Sequence, residues 1–257
     1  MENGDDPLFR DPDFASFYDI ENGEEAESGR DDFAYCRSLA REVGSVLDLG
    51  CGTGELAVLL AGNRRIVGVD PAGVMLDIAR NRPGGLQVCW VEADARRLSL
   101  GETFDLIVLT GHAFQVFLTD KDISAVLATI ARHLARGGRF IFDSRNPLRQ
   151  EWRQWAPQAS MRAVTHPIFG TAKAWNDASY DAVSEIVTYQ TVYQLASTGR
   201  ILSAHSQIRF AARSKIQELL SEAGLVVERW LGDWQGSDCG DTAKELIPIG
   251  RLIDRSD

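Results

Sequence analysis

The strongest constraint on the fold is a turn with three glycines that joins two apolar segments. Residues 45–49 (SVLDL) form a short apolar run typical of a buried strand, and Gly50, Gly52 and Gly54 follow at alternate positions. Residues 55–60 (ELAVLL) then have the composition of a helix. A strand, a glycine-rich turn and a helix in this order bring backbone N–H groups close to a ligand. Glycine is needed there because a Cβ atom would block the ligand or exclude the backbone angles of the turn.

The alternation of strand-like and helix-like segments continues to about residue 147. Short apolar runs recur at RIVGVD, LQVCWVEAD, FDLIVLTG and RFIFDS. The segment KDISAVLATIARHLARGG has helical periodicity, with Gly137 and Gly138 as its expected stop. Apolar strands that alternate with helices are typical of parallel strands buried on both faces. The sequence therefore predicts an α/β fold with a doubly wound sheet.

A different pattern begins after Asn146 and Pro147. Two alternating runs, AVSEIVTYQTVYQL and ILSAHSQIRFAA, are joined by the turn-like ASTGR, which predicts a small antiparallel sheet inserted into the fold. The α/β pattern resumes near residue 214. We therefore expect three parts: an N-terminal arm and helix that cover the site at 1–44, a ligand-binding domain at 45–148 and 214–257, and an inserted β-rich subdomain that covers the substrate at 149–213.

Composition excludes several classes of protein and partner. The 257-residue chain has a formal net charge of −10, which argues against binding to nucleic acid. No apolar run reaches the roughly 18 residues of a membrane helix, and the acidic N-terminus does not resemble a signal peptide. The four cysteines have no CxxC spacing, which indicates a cytoplasmic protein without a disulfide framework or a structural zinc site.

Three aspartates mark the expected ligand site. Asp70 ends the second apolar run, 20 residues after Gly50 (70 − 50 = 20), where a carboxylate can accept hydrogen bonds from ribose hydroxyls or cap the next helix. Asp94 ends the third run and could accept a hydrogen bond from the amino group of an adenine. Asp48 lies inside the first run, where burial requires a partner, so it could orient the turn or receive an ammonium group.

The turn also limits the kind of nucleoside that can bind. Its G-x-G-x-G spacing is one residue shorter than the dinucleotide motif G-x-G-x-x-G, and the Gly-Lys-Ser/Thr end of a phosphate loop is absent. The turn contains no basic residue, whereas the three aspartates are predicted to lie around it. These features disfavour an NAD dehydrogenase and favour a nucleoside that carries a positive charge and no phosphate.

The motifs resemble those of the class I S-adenosylmethionine-dependent methyltransferases of the small-molecule type. VLDLGCGTG, VGVDPAGVML, VEADARRLSL and FDLIVLTGHAFQVF resemble their first four motifs, and HLARGGRFIFDSRNP resembles the segment around their fifth strand. The resemblance covers about residues 45–147, together with the tail that contains AGLVVERWLGDW and ELIPIGRL. It implies a seven-stranded, mostly parallel sheet whose last strand is antiparallel, and S-adenosylmethionine as the cofactor.

The resemblance also implies which residues bind the cofactor. The Gly50–Gly54 turn would hold the methionine part, Asp70 the ribose, and Asp94 the adenine. Met75 would pack on the adenine ring, and Tyr18 resembles a tyrosine that closes over the cofactor, although its ring could serve packing alone. The full expected cofactor site is Tyr18, Asp48, Gly50, Cys51, Gly52, Gly54, Asp70, Pro71, Met75, Asp94, Ala95, Thr110 and Gly111.

The methyl acceptor is expected beyond the fourth strand, at Thr110-Gly111-His112-Ala113. Related enzymes that methylate amino groups of nucleic-acid bases have Asn/Asp-Pro-Pro-aromatic at this place, so the segment argues against such substrates. His112 is the candidate general base, because an imidazole titrates near neutral pH. The alternative is that its ring only packs against the loop or hydrogen-bonds to it.

No metal site is expected from the sequence. Asp143 and Asn146 follow the fifth strand, but no partner for them is recognisable. Of the other histidines, His133 lies on a predicted helix and is expected at the surface. His166 and His205 lie in the predicted insertion and could face the substrate.

These features predict metal-independent methyl transfer from S-adenosylmethionine to a small molecule. The acceptor atom, nitrogen, oxygen or carbon, is left open, and so is the formation of a homodimer. One alternative is a methyltransferase that acts on a protein or an RNA. The other is a module that binds the cofactor without catalysis.

Overall fold

The apolar runs form the strands of a central sheet, and the amphipathic segments form the helices beside it. The computed structural model describes residues 11–23 and 30–253. In chain order, the strands are β1 (Ser45–Leu49), β2 (Arg65–Asp70), β3 (Cys89–Glu92), β4 (Phe104–Leu109), β5 (Leu134–Phe142), β6 (Ser144–Arg145), β7 (Arg162–His166), β8 (Gly170–Asp181), β9 (Ile186–Leu195), β10 (Ile201–Arg209), β11 (Leu225–Leu231) and β12 (Glu245–Leu252). The helices are α1 (Pro12–Ala15), α2 (Tyr18–Asn22), α3 (Asp31–Leu39), α4 (Glu55–Leu60), α5 (Gly73–Asn81), α6 (Asp120–His133) and α7 (Arg213–Glu222). Short 3₁₀ segments lie at Ala40–Glu42, Gly85–Gln87, Ala113–Val116, Pro147–Arg149 and Glu151–Gln154.

The central sheet has the strand order β11-β12-β5-β4-β1-β2-β3. The neighbouring strands from β5 to β3 are parallel, whereas β12 is antiparallel to both β5 and β11. The short β6 pairs with the start of β12 and lies off this path. The prediction of a seven-stranded, mostly parallel sheet with an antiparallel last strand is therefore confirmed. Because the strand order reverses between β1 and β4, their carboxyl ends form the edge at which such sheets bind ligands.

Helices cover both faces of this sheet. On one face, Leu127 of α6 and Ile216 of α7 lie in a buried cluster that includes Leu47 of β1. On the other face, Phe33 of α3 lies in a second buried cluster that includes Val46 of β1. Successive residues of β1 therefore contribute to opposite cores, as the pleat of a strand requires. No helix in the described ranges is both long and apolar enough to cross a lipid bilayer.

A separate antiparallel sheet follows the fifth parallel strand in the chain. Its order is β10-β9-β8-β7, and all of its neighbouring strands are antiparallel. Burial alternates residue by residue along β10, which is typical of a strand with one covered face. The predicted inserted sheet is confirmed and lies within residues 149–213. The exact boundaries of the three predicted parts stay a prediction.

The first helices of the chain pack against this inserted sheet. Phe17, between α1 and α2, is fully buried and stacks on Tyr193 of β9 with ring centroids 4.2 Å apart. Glu21 of α2 forms a salt bridge with Arg162 of β7. The remainder of the predicted arm, 1–10 and 24–29, lies outside the described residues.

The same arm also contacts the glycine turn of the central sheet. The hydroxyl of Thr53, inside the turn, donates a hydrogen bond to Asp19 of α2 at 2.5 Å. Arg82, just after α5, forms a salt bridge with the same carboxylate. Helix α2 therefore links the inserted sheet to the turn at the ligand-binding edge.

Helix α6 and its histidine differ from the sequence-based expectation. The helix ends at His133 and β5 begins at Leu134, so Gly137 and Gly138 lie within a strand instead of ending the helix. Leu134 pairs with β4, and this long-range pairing overrides the local helical signal. The expectation that His133 lies at the surface is wrong, because its ring is buried and hydrogen-bonds to the backbone N–H of Leu100 at 3.0 Å.

Phe17→Ala tests the attachment of the arm. The change should lower the free energy of unfolding by about 3–5 kcal/mol, because it removes a fully buried aromatic ring. Urea unfolding followed by fluorescence measures this loss. Leu86→Ala is the control, because Leu86 is 98% exposed and its removal should change stability by less than about 0.5 kcal/mol. Equal effects of the two variants would show that the arm does not stabilise the fold.

Candidate active site

The three glycines of the turn are required for different physical reasons. All three have positive φ angles, +68° at Gly50, +54° at Gly52 and +76° at Gly54, which other residues rarely adopt. A Cβ atom at Gly54 would lie 2.3 Å from the ring of Trp90, so this glycine allows helix and sheet to pack closely. At Gly52 the nearest atom to such a Cβ is 3.5 Å away, on Met75. The turn is therefore most open at its central glycine, where a ligand can approach the backbone.

Asp70 connects this turn to the next helix. One carboxylate oxygen accepts a hydrogen bond from the N–H of Gly52 at 2.9 Å, and the other from the N–H of Ala72 at 2.8 Å. Burial raises the pKa of Asp70 to about 6, against the effect of these two hydrogen bonds. The expected capping role is present, and the carboxylate oxygens retain further lone pairs for hydroxyl donors.

Asp48 is a buried carboxylate with an unsatisfied oxygen. Its side chain is 2% exposed, and Oδ2 has no hydrogen-bond partner among the described residues. Burial raises the pKa of Asp48 to about 8, and the nearby charge of Asp70 adds to this effect while Arg30 opposes it. A buried acceptor without a partner is unfavourable, so this oxygen is suited to a ligand that brings a donor or a positive charge.

Tyr18 and Arg30 lie at the turns that follow β1 and β4. The ring edge of Tyr18 is 3.9 Å from the position of a Cβ at Gly52, and its hydroxyl is 3.9 Å from that at Gly111. Burial raises the pKa of Tyr18 to about 12, so the phenol stays protonated. Arg30 Nη2 lies 3.5 Å from the same Gly111 position. Arg30 was not identified from the sequence, because an isolated arginine before α3 belongs to no motif.

The guanidinium of Arg30 is held in a fixed orientation. It donates to both carboxylate oxygens of Asp32, at 2.8 and 2.6 Å, and to the carbonyl oxygen of Asn22 at 2.7 Å. Its carbon also lies 4.0 Å from the ring centroid of Phe33. An arginine has five N–H donors, so this arrangement presents a fixed cation that can still donate to a carboxylate of a ligand.

The other predicted cofactor residues lie around the ends of β1 to β4. Met75 is buried and packs with Ala15 and Tyr18. Both carboxylate oxygens of Asp94 accept hydrogen bonds from the Arg96 side chain. Burial alone raises the pKa of Asp94, but these hydrogen bonds lower it below its usual value. Of the remaining positions, Cys51 is half-buried in the turn, Pro71 is exposed after β2, Ala95 is buried after Asp94, Thr110 is buried after β4, and Gly111 has a φ of +69°.

His112 lies in a cluster with two carboxylates. Its backbone N–H donates to Asp143 Oδ1 at 2.9 Å, and its φ of +62° belongs to the left-handed region. The Nε2 atom lies 3.1 Å from both oxygens of Glu245 and 3.6 Å from Asp143 Oδ2. The imidazole side chain is 24% exposed, so the cluster is accessible from outside.

Glu245 was not identified from the sequence, although a signal exists. A strand that runs antiparallel to its neighbours begins at the edge where the parallel strands end. Glu245 is the first residue of β12 and pairs with Arg145, just beyond β5. The predicted antiparallel last strand therefore places its first residues at the ligand-binding edge.

The charges in this cluster depend on one another. Burial, with the charge of Arg145, lowers the pKa of His112 to about 4. Burial raises the pKa of Glu245 to about 8 and that of Asp143 to about 6. Near neutral pH, Glu245 and His112 therefore share one proton. The expectation that His112 itself titrates near neutral pH is wrong, because desolvation and the charge of Arg145 lower its pKa.

The expectation that Asp143 has no partner is also wrong, since His112 and Glu245 lie beside it. One possible metal-ligand atom from each of the three residues lies within 4.8 Å of the others. A chelator therefore tests whether this cluster holds a metal ion. Asn146 does not join them: its amide donates to the carbonyl of Ala243 at 2.9 Å and its oxygen accepts from a backbone N–H. The absence of a required metal stays a prediction.

The two histidines of the insertion occupy different environments. His166 is buried, and its Nδ1 accepts hydrogen bonds from the backbone N–H groups of Ile168 and Phe169. Its ring also lies 4.5 Å from that of Phe17. His205 is exposed on β10. These contacts give His166 a structural role and leave His205 as a suitable control position.

Comparisons with known proteins identify similar chains. A family model described as "Methyltransferase domain" matches residues 46–138. The chain is 29% identical to a cypemycin N-terminal methyltransferase from Streptomyces sp. over 80% of its length and 82% of that protein. It is 38% identical to the demethylmenaquinone methyltransferase of Thermus thermophilus over 37% of this chain, and it spans 44% of that protein. An S-adenosylmethionine-dependent methyltransferase from Clostridium acetobutylicum has a similar structure, with a TM-score of 0.75, 18% identity, and coverage of 94% of this chain and 98% of the other.

Asp48→Asn tests the burial of charge at this site. Because its folded-state pKa lies near 8, the folded protein binds a proton more tightly than the unfolded chain between about pH 4 and 8. Asp48 therefore lowers stability as the pH rises through this range. The D48N variant should be more stable than the wild type at pH 8 and should show a shallower decline from pH 5 to 8, although Asp70, Asp143 and Glu245 still contribute to it.

Urea unfolding at several pH values measures this change in slope. Asp177→Asn is the matched control, because Asp177 is exposed on β8 and should leave the slope unaltered. An unchanged slope in D48N would mean that Asp48 is compensated in the folded protein.

Proposed function

Because the chain belongs to the class I S-adenosylmethionine-dependent methyltransferases, we propose that it transfers the methyl group of S-adenosylmethionine to a small-molecule acceptor without a metal ion. The observation that carries this proposal is the open turn at Gly52, next to the buried, unpaired oxygen of Asp48. When bound, the cofactor supplies an electrophilic methyl group on a positively charged sulfur. The acidic surroundings of the turn suit such a cation.

Each polar part of the cofactor has a suitable group in the chain. Asp70 would accept hydrogen bonds from the ribose, and Asp94 from the adenine amino group, with Met75 against the ring. Asp48 offers its free oxygen to the ammonium of the methionine part. Arg30, which the sequence analysis missed, offers a fixed guanidinium to the carboxylate of that part. Tyr18 would cover the cofactor from the side of the arm.

The acceptor would bind at the edge beyond β4 and β5. His112 is the candidate base there, and it acts together with Glu245, because the two groups share a proton. The inserted sheet and the arm would cover this edge and select the acceptor. A net charge of −10 favours a small molecule over RNA. The four free cysteines support a cytoplasmic location.

The names of the relatives do not indicate which atom of the acceptor this chain methylates. One is named a cypemycin N-terminal methyltransferase, and another a demethylmenaquinone methyltransferase. A peptide N-terminus is therefore the second candidate acceptor. A screen that measures release of S-adenosylhomocysteine from small molecules and short peptides separates the two candidates. A protein that binds the cofactor but releases no product with any of them would be a binding module.

Asp70→Ala tests the cofactor site. The change should weaken binding of S-adenosylhomocysteine by about 1.5–3 kcal/mol, because charge-assisted hydrogen bonds to the ribose are lost. Titration calorimetry with S-adenosylmethionine, S-adenosylhomocysteine and NAD measures the affinities. Asp177→Ala should bind as the wild type does. Tight binding of NAD without a response to the other two ligands would overturn the proposal, and unchanged affinity in D70A would exclude the ribose contact.

His112→Ala tests the acceptor side. The change should lower kcat about 10²–10⁴-fold, because the group that hydrogen-bonds to Glu245 and can take up a proton is lost. The affinity for S-adenosylhomocysteine should remain within about 3-fold, since the cofactor contacts are made elsewhere. His205→Ala should have wild-type activity, and EDTA should not alter the turnover of either protein. Near-normal turnover in H112A would indicate that the site works by alignment alone.

A further inference from the structure

The acceptor edge contains more negative charge than the chain neutralises. Asp143 is 2% exposed and Glu245 is 16% exposed at the side chain, so both carboxylates are largely removed from water. Among the described residues, the ion pairs of these two carboxylates are formed with His112 alone. One imidazole that shares a single proton with Glu245 cannot balance two carboxylates. The cluster of His112, Asp143 and Glu245 therefore carries a net negative charge of its own when Asp143 is ionised.

The guanidinium of Arg145, the strand partner of Glu245, is bound to other groups. Arg145 donates through Nε to Glu151 at 3.1 Å and through Nη1 to the side-chain oxygen of Gln115 at 2.9 Å. Its guanidinium also lies 5.1 Å from the ring centroid of Trp155. Arg145 is the strand partner of Glu245 and its charge opposes the burial that raises the pKa of that carboxyl, but among the described residues it forms no ion pair with it. The two carboxylates are thus left for a cation from outside.

We propose that the methyl acceptor is an amine, that Glu245 and Asp143 bind its ammonium form beside His112, and that Glu245 removes the proton that prevents the nitrogen from attacking. This inference rests on the proposed function and names its substrate class. Hydrogen bonds between an ammonium and a carboxylate are about twice as strong as those between neutral groups. An acceptor that carries a carboxylate at the reacting end would instead be repelled.

The proton transfer and the methyl transfer balance without a further reactant. An ammonium nitrogen has no free lone pair, so one proton must leave before attack. The cation favours the ionised form of Glu245, which takes that proton in contact with His112 Nε2. The nitrogen lone pair then forms the N–CH₃ bond while the S–CH₃ bond breaks, and the electrons of that bond remain on sulfur. The positive charge passes from sulfur to nitrogen.

The first experiment compares acceptors that share a carbon skeleton and differ in the reacting group. Wild-type enzyme is incubated with S-adenosylmethionine and matched sets of small primary amines, alcohols and carboxylates, and release of S-adenosylhomocysteine is measured. We expect release with amines at a rate at least about 100-fold above that of the matched alcohols and carboxylates. Release with an alcohol or a carboxylate but with no amine overturns the inference and leaves the proposed function intact. No release with any acceptor overturns both.

The second experiment separates proton removal from a structural role of Glu245. Glu245→Gln keeps the size of the side chain and removes its charge and its ability to accept the proton. It should lower kcat/KM about 10²-fold or more for the best alkylamine, which is protonated at neutral pH. It should change kcat/KM less than about 3-fold for the matched O-alkylhydroxylamine, which is already unprotonated at neutral pH.

The matched control is Glu222→Gln, because Glu222 is exposed at the end of α7 and should leave both activities unchanged. Calorimetry should show that E245Q binds S-adenosylhomocysteine as the wild type does. Equal losses with both acceptors would indicate a structural role and overturn the inference. Full activity of E245Q with the alkylamine would overturn it as well.

Discussion

The hydrogen bond from Gly52 to Asp70 joins the two halves of the ligand-binding edge on which the rest of the site depends. It fixes the glycine turn after β1 to the carboxylate that ends β2, at 2.9 Å, while the other oxygen of that carboxylate holds the start of α5. Asp48 is thereby kept near a second acid, while its Oδ2 has no hydrogen-bond partner in the part of the chain that the structure describes. The burial of these carboxylates lowers the free energy of unfolding, and the packing of the sheet must offset this loss to keep the site preformed.

The N-terminal arm connects the glycine turn to the inserted sheet. Helix α2 carries Asp19, which binds the glycine turn, and Glu21, which binds the inserted sheet, within a single turn of helix. Tyr18 precedes both and lies over the open glycine positions. A ligand bound at the turn would therefore lie next to the helix that also attaches the inserted sheet. This arrangement couples the two halves of the proposed reaction through one short helix.

Local signals allowed the fold to be predicted, and long-range contacts account for what was missed. Apolar runs and glycine turns report on neighbours in the chain, so the sheet, its inserted partner and the position of Asp70 could all be predicted. Glu245 lies 133 residues from His112, and only strand pairing brings them together. The burial of His133 and the early end of α6 likewise depend on pairing between β4 and β5. No local pattern records such contacts, although the direction of the last strand indicates where Glu245 must lie.

The distribution of buried acids suits a reaction that moves a positive charge. One pair, Asp48 and Asp70, lies at the ends of β1 and β2. The negative charge of Asp70 helps to raise the pKa of Asp48. The other pair, Asp143 and Glu245, lies beyond β5 and at the start of β12 and is coupled in the same way. In the proposed reaction the positive charge leaves the sulfur of the cofactor and reaches the acceptor nitrogen, which would lie at the second pair. An ammonium group at Asp48 and another at Glu245 would each offset the unfavourable charge of the buried pair beside it.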